Sequence, residues 1–568
     1  MSILTYIFGW PLVAALALIF VPRNYRVILR TVALLATFVP MLLAIKMFCQ
    51  FVPGASGYQF EQQIPWVQSL GISCHVGVDG LNVGLILMGA IVAFAATCCS
   101  FEIQSREKEF YILLLIMAGG ILGAFASLDL FFFYFLHELA LVPTFIMIGV
   151  WGRGERKNYA TFQITLYLSA GALIALIGLI ALYVQSGVST FDIPTLLNYI
   201  HGTPEKNFTD AHPLAANAQN FIFPLLLFGF GILVSLWPFH TWAPLGYSSA
   251  PTPTAMLHAG VLKKFGLYGL IRIALPLTPL AFNAPILNSN FFSHFPFSWI
   301  PALMQNWFLS LNWVNFLAFL CLGNILYVGW VAMRQKDLNL LIGNSSVAHM
   351  GFVFLGIASL NLIGVTGAVF IMIAHGFLAA LTFGLSGYIY RQAGTLEMSR
   401  LGGLCHQLPF IGTALLMAAL AGCGLPGFAN FVGEVTVFFG AWKVFPFVTV
   451  CALWGALLIG ALYMLRAMRM VQHGPVPEQQ AKVSDANLWR KFPYALLLAS
   501  LLVFGCFPRL LTDKITPDVE KIVKMATVES RAGVSPAQAG FQPAKENQSP
   551  GQDGLRGRRD AHPTLTAN

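Results

Sequence analysis

Seven ionisable side chains stand inside otherwise apolar stretches: Glu138, His240, Lys263, Lys264, His349, His375 and Glu434. Each can take up and release a proton. A charged side chain at the centre of a bilayer costs about 2.5–3.5 kcal/mol on insertion scales, so such groups face a partner or a hydrated path. No nucleophile–base pair, metal cage or Gly-rich phosphate loop accompanies them. The nine cysteines are scattered, only Cys98 and Cys99 adjoin, and no CxxC occurs. Proton-exchanging groups separated by apolar helix suit ion movement across a membrane rather than covalent chemistry.

Taken singly, these residues differ in what their surroundings imply. Glu138 lies in FFFYFLHELALVPTF, where burial favours the neutral carboxyl unless a cation or water supports the charge. His137 precedes it but projects about 100° away around a helix, which reads as packing. His240 follows Trp237-Pro238-Phe239. Pro238 frees a backbone carbonyl, so an imidazole there either carries protons or bonds that carbonyl. Lys263 and Lys264 are adjacent, so at most one is expected to face a given path. His258, one to two turns earlier, reads as structural. Ser345, Ser346 and His349 make a polar stripe at i, i+3 and i+4 spacing. His375 sits beside Gly376. Glu434 follows the Gly424-Leu425-Pro426-Gly427 break, and a carboxyl just beyond a broken helix recurs where backbone groups meet an ion or water.

The elements that must position these groups are membrane helices. The chain has 568 residues, 57% apolar and 10% charged, against about 25% charged in soluble domains. That composition describes an all-α polytopic membrane protein, because the apolar runs are continuous rather than alternating. The first run lacks a basic flank and reads as a retained span. Fourteen spans are predicted: 3–21, 29–52, 80–100, 109–127, 129–150, 161–186, 220–241, 252–274, 313–333, 338–358, 362–390, 406–444 with a break, 446–467 and 492–511.

Loop charge tests this count. Arg23 and Arg26, Arg106 and Lys108, Arg153 to Lys157, Arg334 and Lys336, Arg391 and Arg400, and Arg466 to Lys491 all follow odd-numbered spans. Loops after even-numbered spans hold almost no Lys or Arg. The alternation places both termini outside the cytoplasm. It also explains the net charge of +9 without a nucleic-acid partner. The tail from about Ser530, rich in Gly, Pro, Gln and Ala, reads as disordered.

In order along the chain, HELALVPTFIMIGVWG, WPFHTWAP with APTPTAMLHAGVLKKFGLYGLIR, QKDLNLLIGNSSVAHMGFVFLGI and GLPGFANFVGEVTVFFG resemble the antiporter-like M subunits (chain 4) of respiratory complex I, the proton-pumping NADH–quinone oxidoreductase. The resemblance covers about Phe110 to Arg469. It implies two inverted five-helix repeats, each with a broken helix, near Pro238 and near Pro426. It implies helices 1–3 over 1–108, a first repeat over 109–274, an extracytoplasmic loop over 275–312, a second repeat over 313–467, a cytoplasmic loop and last helix over 468–511, and a largely disordered tail over 512–568. By position, Glu138 matches the family's span-five glutamate, Lys264 its span-eight lysine and Glu434 its span-twelve glutamate, while His349 and His375 match two further family histidines.

One match fails. The family's span-seven lysine, partner of the span-five glutamate, is Leu233 here, and no Lys or Arg lies between Phe221 and His258. Asn339 and Leu340 replace basic residues usual after Asp337, and Pro244-Leu245-Gly246-Tyr247 replaces an acidic motif. His137, His240 or a lysine of an adjacent subunit are the candidate substitute cations. The resemblance implies a membrane-arm subunit in the bacterial plasma membrane, beside other complex I membrane subunits and the lipid bilayer, with no cofactor of its own and no nucleic acid. A cation/proton antiporter subunit of the same fold and a non-pumping spacer are the other expectations.

Overall fold

A computed structural model describes residues 2–202, 210–286, 311–476 and 483–532. Helix is present at every one of the fourteen predicted stretches. In chain order the helices are α1 (Ile3–Phe20), α2 (Arg26–Gln50), α3 (Val83–Cys99), α4 (Glu107–Ala126), α5 (Leu130–Trp151), α6 (Lys157–Ser186), the short α7 (Ile193–His201), α8 (Ala216–Val234) and α9 (Trp242–Ser249). Then come α10 (252–277), α11 (Trp313–Arg334), α12 (Leu338–Ala358), α13 (Leu362–Ala393), α14 (Pro409–Gly422), α15 (Ala429–Trp442), α16 (Pro446–Gln472), α17 (Leu488–Cys506) and α18 (Arg509–Ala532). Among the described residues, twelve helices are individually long and apolar enough to cross a membrane.

Polar side chains start several of these helices. Asp129 accepts from Phe131 N and Phe132 N at the head of α5, Asp337 from Leu340 N at α12, and Asn361 from Gly364 N at α13. Each satisfies amide groups that a helix start leaves unpaired. Burial sorts the bundle into layers. The apolar windows of α12 and α13 are 94% and 100% buried, whereas those of α1 and α17 are 28% buried. The centre is therefore α10, α12 and α13 with α3, and α1, α6, α16 and α17 face outward.

Two helices are broken where Pro and Gly predict it. The chain leaves α8 at Ser235 (φ +73°) and re-enters helix at Trp242; α14 stops at Gly422 and α15 begins at Ala429, with Gly424 at φ +69° between them. The helix α10 is continuous but irregular. Two π turns, His258–Leu262 and Leu270–Ala274, widen it.

Three features depart from the sequence expectation. The loop between α2 and α3 forms an antiparallel hairpin, β1 (Gln59–Val67) and β2 (Ile72–Val78). The stretch between α6 and α8 contains the short helix α7. The tail expected to be largely disordered from 512 begins instead as α18, which buries Leu511, Ile515, Val519, Ile522 and Ala526 on one face. Spacing of three and four residues makes an amphipathic stripe that average hydropathy hides. Asp518 of this helix accepts from Gly80 N at 2.7 Å, tying it to the start of α3. Residues 533–568 of the tail and 287–310 of the long loop lie outside the described residues.

Candidate functional site

The π turn in α10 sets the site. Lys263 N bonds His258 O at 3.0 Å, a five-residue step that adds one residue to the turn. The adjacent lysines then both project into the bundle centre, against different helices. Lys264 Nζ donates to Ala259 O at 2.6 Å and faces His375 Nδ1 on α13 at 3.0 Å. Lys263 Nζ lies 3.4 Å from both Ser346 O and Ser346 Oγ on α12, and 5.6 Å from the Tyr247 ring centre. The expectation that at most one lysine faces the path is corrected, because the wider turn aims both amines at one cluster. Both are wholly buried, and no carboxylate lies within 4 Å of either among the described residues.

From His375 the polar groups continue. Its ring centre lies 5.4 Å from that of His349. His349 Nδ1 faces Ser345 O at 2.7 Å, and Nε2 faces Gly422 O at 3.1 Å. A neutral imidazole can donate to only one of these carbonyls, and to both after a second proton arrives. His349 Nε2 also lies 3.7 Å from Glu434 Oε1. That oxygen is buried without a hydrogen-bond partner. The helix break makes room for the carboxyl: a Cβ on Gly424 would lie 2.8 Å from Glu434 Oε2. A small cavity beside His349, Glu434 and Tyr463 has space for about one water molecule.

The line Lys264–His375–His349–Glu434 thus joins α10 to broken α14–α15. Lys263 joins it from the side through Ser346. Two predicted residues stand apart. His240 Nδ1 lies 3.2 Å from Pro238 O and its ring meets Tyr327 edge-on, which matches the carbonyl-bonded alternative. Glu138 lies on α5 with its side chain 30% exposed, 3.3 Å from His137 Nδ1. The packing role assigned to His137 is half right: its ring stacks on Phe265 at 3.8 Å, next to Lys264, while its nitrogen touches Glu138. Leu233 is a buried apolar side chain on α8. Of the three candidate substitute cations, His137 is the one beside Glu138.

Sequence reasoning missed several participants. Asn324, in a π turn of α11, accepts from Trp237 N at 2.7 Å and donates to Ser235 O and Val347 O. It stitches the broken end of α8 to α12; an asparagine at membrane depth was the available signal. Asn430 precedes Glu434 by one turn and is buried with both amide atoms unpartnered, a relationship legible as i, i+4 spacing. Tyr463 Oη lies 3.0 Å from Ser345 Oγ. Arg272, at the far end of α10, makes a two-pronged bond to Asp79 at 2.5 and 2.6 Å; nothing local in sequence pairs residues 193 apart.

At the hairpin, outside the spans, His75 bridges two carboxylates. Nδ1 meets Asp192 at 2.5 Å and Nε2 meets Glu61 at 2.7 Å. Burial alone pulls the His75 pKa down, but bonds and charges from Asp192 and Glu61 outweigh it, so the pKa is raised. Burial pushes Asp192 up, yet His75 and Thr195 hold its carboxyl below the usual range.

Known proteins match this geometry. The family model for NADH:quinone oxidoreductase/Mrp antiporter transmembrane chains matches residues 127–295 and 281–460. The NADH-quinone oxidoreductase subunit M of Rhodobacter capsulatus is 32% identical over 92% of this chain and 96% of its own length. The F(420)H(2) dehydrogenase subunit M of Methanosarcina mazei is 32% identical over 85% of this chain and 91% of its own. A chain of respiratory complex I from Thermus thermophilus with bound NADH superposes with a TM-score of 0.77 at 26% identity, covering 92% of this chain and 99% of that one. A chain of the Mrp complex from Dietzia sp. shares the fold, with a TM-score of 0.74 at 17% identity over 94% of this chain and 100% of that one.

Proposed function

The chain belongs to the NADH:quinone oxidoreductase/Mrp antiporter transmembrane family, and from that premise we propose that it is an antiporter-like M subunit in the membrane arm of a proton-pumping NADH:quinone oxidoreductase. It moves protons across a bacterial plasma membrane while electrons pass through partner subunits. The chain needs no redox centre of its own. Both termini lie outside the cytoplasm, and residues 109–274 and 313–467 act as two repeats meeting at α10.

The observation that carries this reading is the row of neighbouring proton-exchanging groups from Lys264 through His375 and His349 to Glu434. Protonated Lys264 donates to His375 Nδ1 across 3.0 Å, which requires that nitrogen to be the unprotonated one. His375 hands a proton to His349, whose Nε2 turns from Gly422 O toward Glu434 Oε1. Glu434 releases it past the helix break. His137 beside Glu138 supplies the switch at the other end. Quinone chemistry elsewhere shifts charge along the arm and biases these holding states, a coupling between distant sites.

The quinone oxidoreductase subunit M of Rhodobacter capsulatus is 32% identical to this chain, against 17% for the Mrp chain of the same fold, which weighs for this reading over a cation/proton antiporter. One observation favours a non-pumping spacer: Leu233 places no cation on α8. Proton translocation by the reconstituted complex decides between them. Lys264→Ala and Glu434→Ala are expected to lower the proton-to-electron ratio while assembly stays intact. An unchanged ratio in both variants sinks the relay.

A further inference from the structure

A cavity of about 900 Å³ opens between α2, α3 and α17, far from the proton line. Phe94 on α3 is its floor, with Phe38 of α2 at 5.3 Å on one side and Phe492 of α17 at 6.1 Å on the other. Deeper along the same helices, beyond the lining, Phe48 meets Phe504 edge-on at 6.1 Å. The lining runs from Leu34 to Phe38 on α2 and from Leu488 to Ala495 on α17, about 6 and about 10 Å of helix rise, which fits the upper part of one leaflet of the ~30 Å hydrocarbon core. The walls are Leu34, Leu35 and Cys98, and the slot is apolar to its end.

Its mouth is different. Arg490 and Lys491 stand there, flanked by Leu488 and by Trp489, which is 86% exposed. A tryptophan in such a position suits the membrane–water boundary. Lys491 Nζ lies 3.6 Å from Asp485 and 5.1 Å from the Phe410 ring centre. Asp485 accepts from Phe410 N and Ile411 N at the start of α14, so its charge is already engaged by that helix end. Arg490 has no ion pair among the described residues. Two cations above an apolar slot match an anionic head on a hydrocarbon tail. The mouth also lies at the end of the bundle that carries the basic loops, the side on which anionic lipids attract cations.

We propose that this groove is a binding site for an anionic phospholipid, its phosphate between Arg490 and Lys491 and one acyl chain along Phe94. The site stands whether or not the chain pumps. An apolar helix of a neighbouring subunit would fill the same slot but would not select for a phosphate.

The test uses the full chain in its complex, with Leu35→p-benzoylphenylalanine as a photo-crosslinker, in vesicles of equal phosphatidylglycerol and phosphatidylcholine. Leu35 is 50% exposed and lines the slot. Phosphatidylglycerol is expected to be captured about tenfold over phosphatidylcholine, and a joint Arg490→Ala and Lys491→Ala change is expected to bring the ratio to about one. High salt should narrow the preference in the otherwise unaltered chain, which keeps the test intact if the double variant does not assemble. Equal capture of both lipids without those changes, or a crosslink to polypeptide, overturns the proposal.

Discussion

His349 Nε2 and Glu434 Oε1 face each other at 3.7 Å across the break between α14 and α15. The gap is slightly longer than a hydrogen bond, and the imidazole nitrogen is held instead by Gly422 O at 3.1 Å. A small rotation of the ring exchanges one partner for the other. The pair is therefore a place where proton transfer can be made or interrupted by a sub-ångström shift.

Glu434→Gln keeps the shape of that carboxyl and removes its proton. General acid–base steps contribute about 10²–10⁴-fold in rate, so proton release through this chain should fall by at least about 10²-fold. The check is pH-dye kinetics in proteoliposomes alongside quinone reduction. A rate equal to that of the unaltered complex would remove Glu434 from the path.

Lys263 and Lys264 should separate in their effects. Lys263→Leu leaves the 3.0 Å contact between Lys264 and His375 and should slow pumping only in part, whereas Lys264→Leu should abolish it. Among the described residues no carboxylate lies within 4 Å of Lys263, so Leu in its place removes an unpaired buried cation, whose burial is costly. Thermal unfolding of the Lys263→Leu complex should thus shift little or upward. Equal loss of pumping in both variants would contradict the distinct positions.

His137 is the imidazole beside Glu138, where Leu233 offers no partner. His137→Ala should lower the proton-to-electron ratio, and adding Leu233→Lys to it should restore the ratio. If the single change leaves the ratio untouched, Glu138 draws its partner from another subunit.

The hairpin clasp predicts a pH window. His75 has a raised pKa, so its contribution is fully present below about 6.5, the unfolded value, and is lost as pH rises through the higher folded value. Asp192 has a lowered pKa, so its contribution is present above about 3.9 and is lost as pH falls through the lower folded value. Amide exchange in β1 and β2, divided by the intrinsic rate at each pH, should be slowest from about pH 4 to about pH 6.5 and should rise as pH climbs through the raised His75 pKa. His75→Phe should flatten that rise, and a profile unaltered by the substitution would exclude the clasp.

Gly424 combines φ +69° with a Cβ position 2.8 Å from Glu434 Oε2. Strain in that backbone region costs about 1–3 kcal/mol, so Gly424→Ala should lower the melting temperature and disturb the carboxyl together. Measured stability and pumping equal to the parent would show that the break relaxes freely.

Much of this molecule follows from local pattern. Helices need only neighbours in the chain, so fourteen helical stretches and both breaks were readable from apolar runs and from Pro238, Gly424 and Pro426. The hairpin and α18 were not. A two-stranded hairpin depends on the bridge from Val76 to Ser127 and on the bond from His75 to Asp192, and α18 depends on a stripe of five residues inside a charged segment.

What the sequence by itself determined is that helices carry Glu138, Lys263, Lys264, His349, His375 and Glu434 through apolar surroundings, because burial cost makes an ionisable group there conspicuous. Which of them meet was decided by tertiary structure alone. Lys264 and His375 are 111 residues apart and touch because a π turn in α10 rotates one lysine toward α13 and its neighbour toward α12. Glu138, as conspicuous in sequence as Glu434, meets His137 and Tyr134 on its own helix instead. Spacing along a chain reports faces of single helices; contact between helices depends on turn geometry and close approach, which no local pattern records.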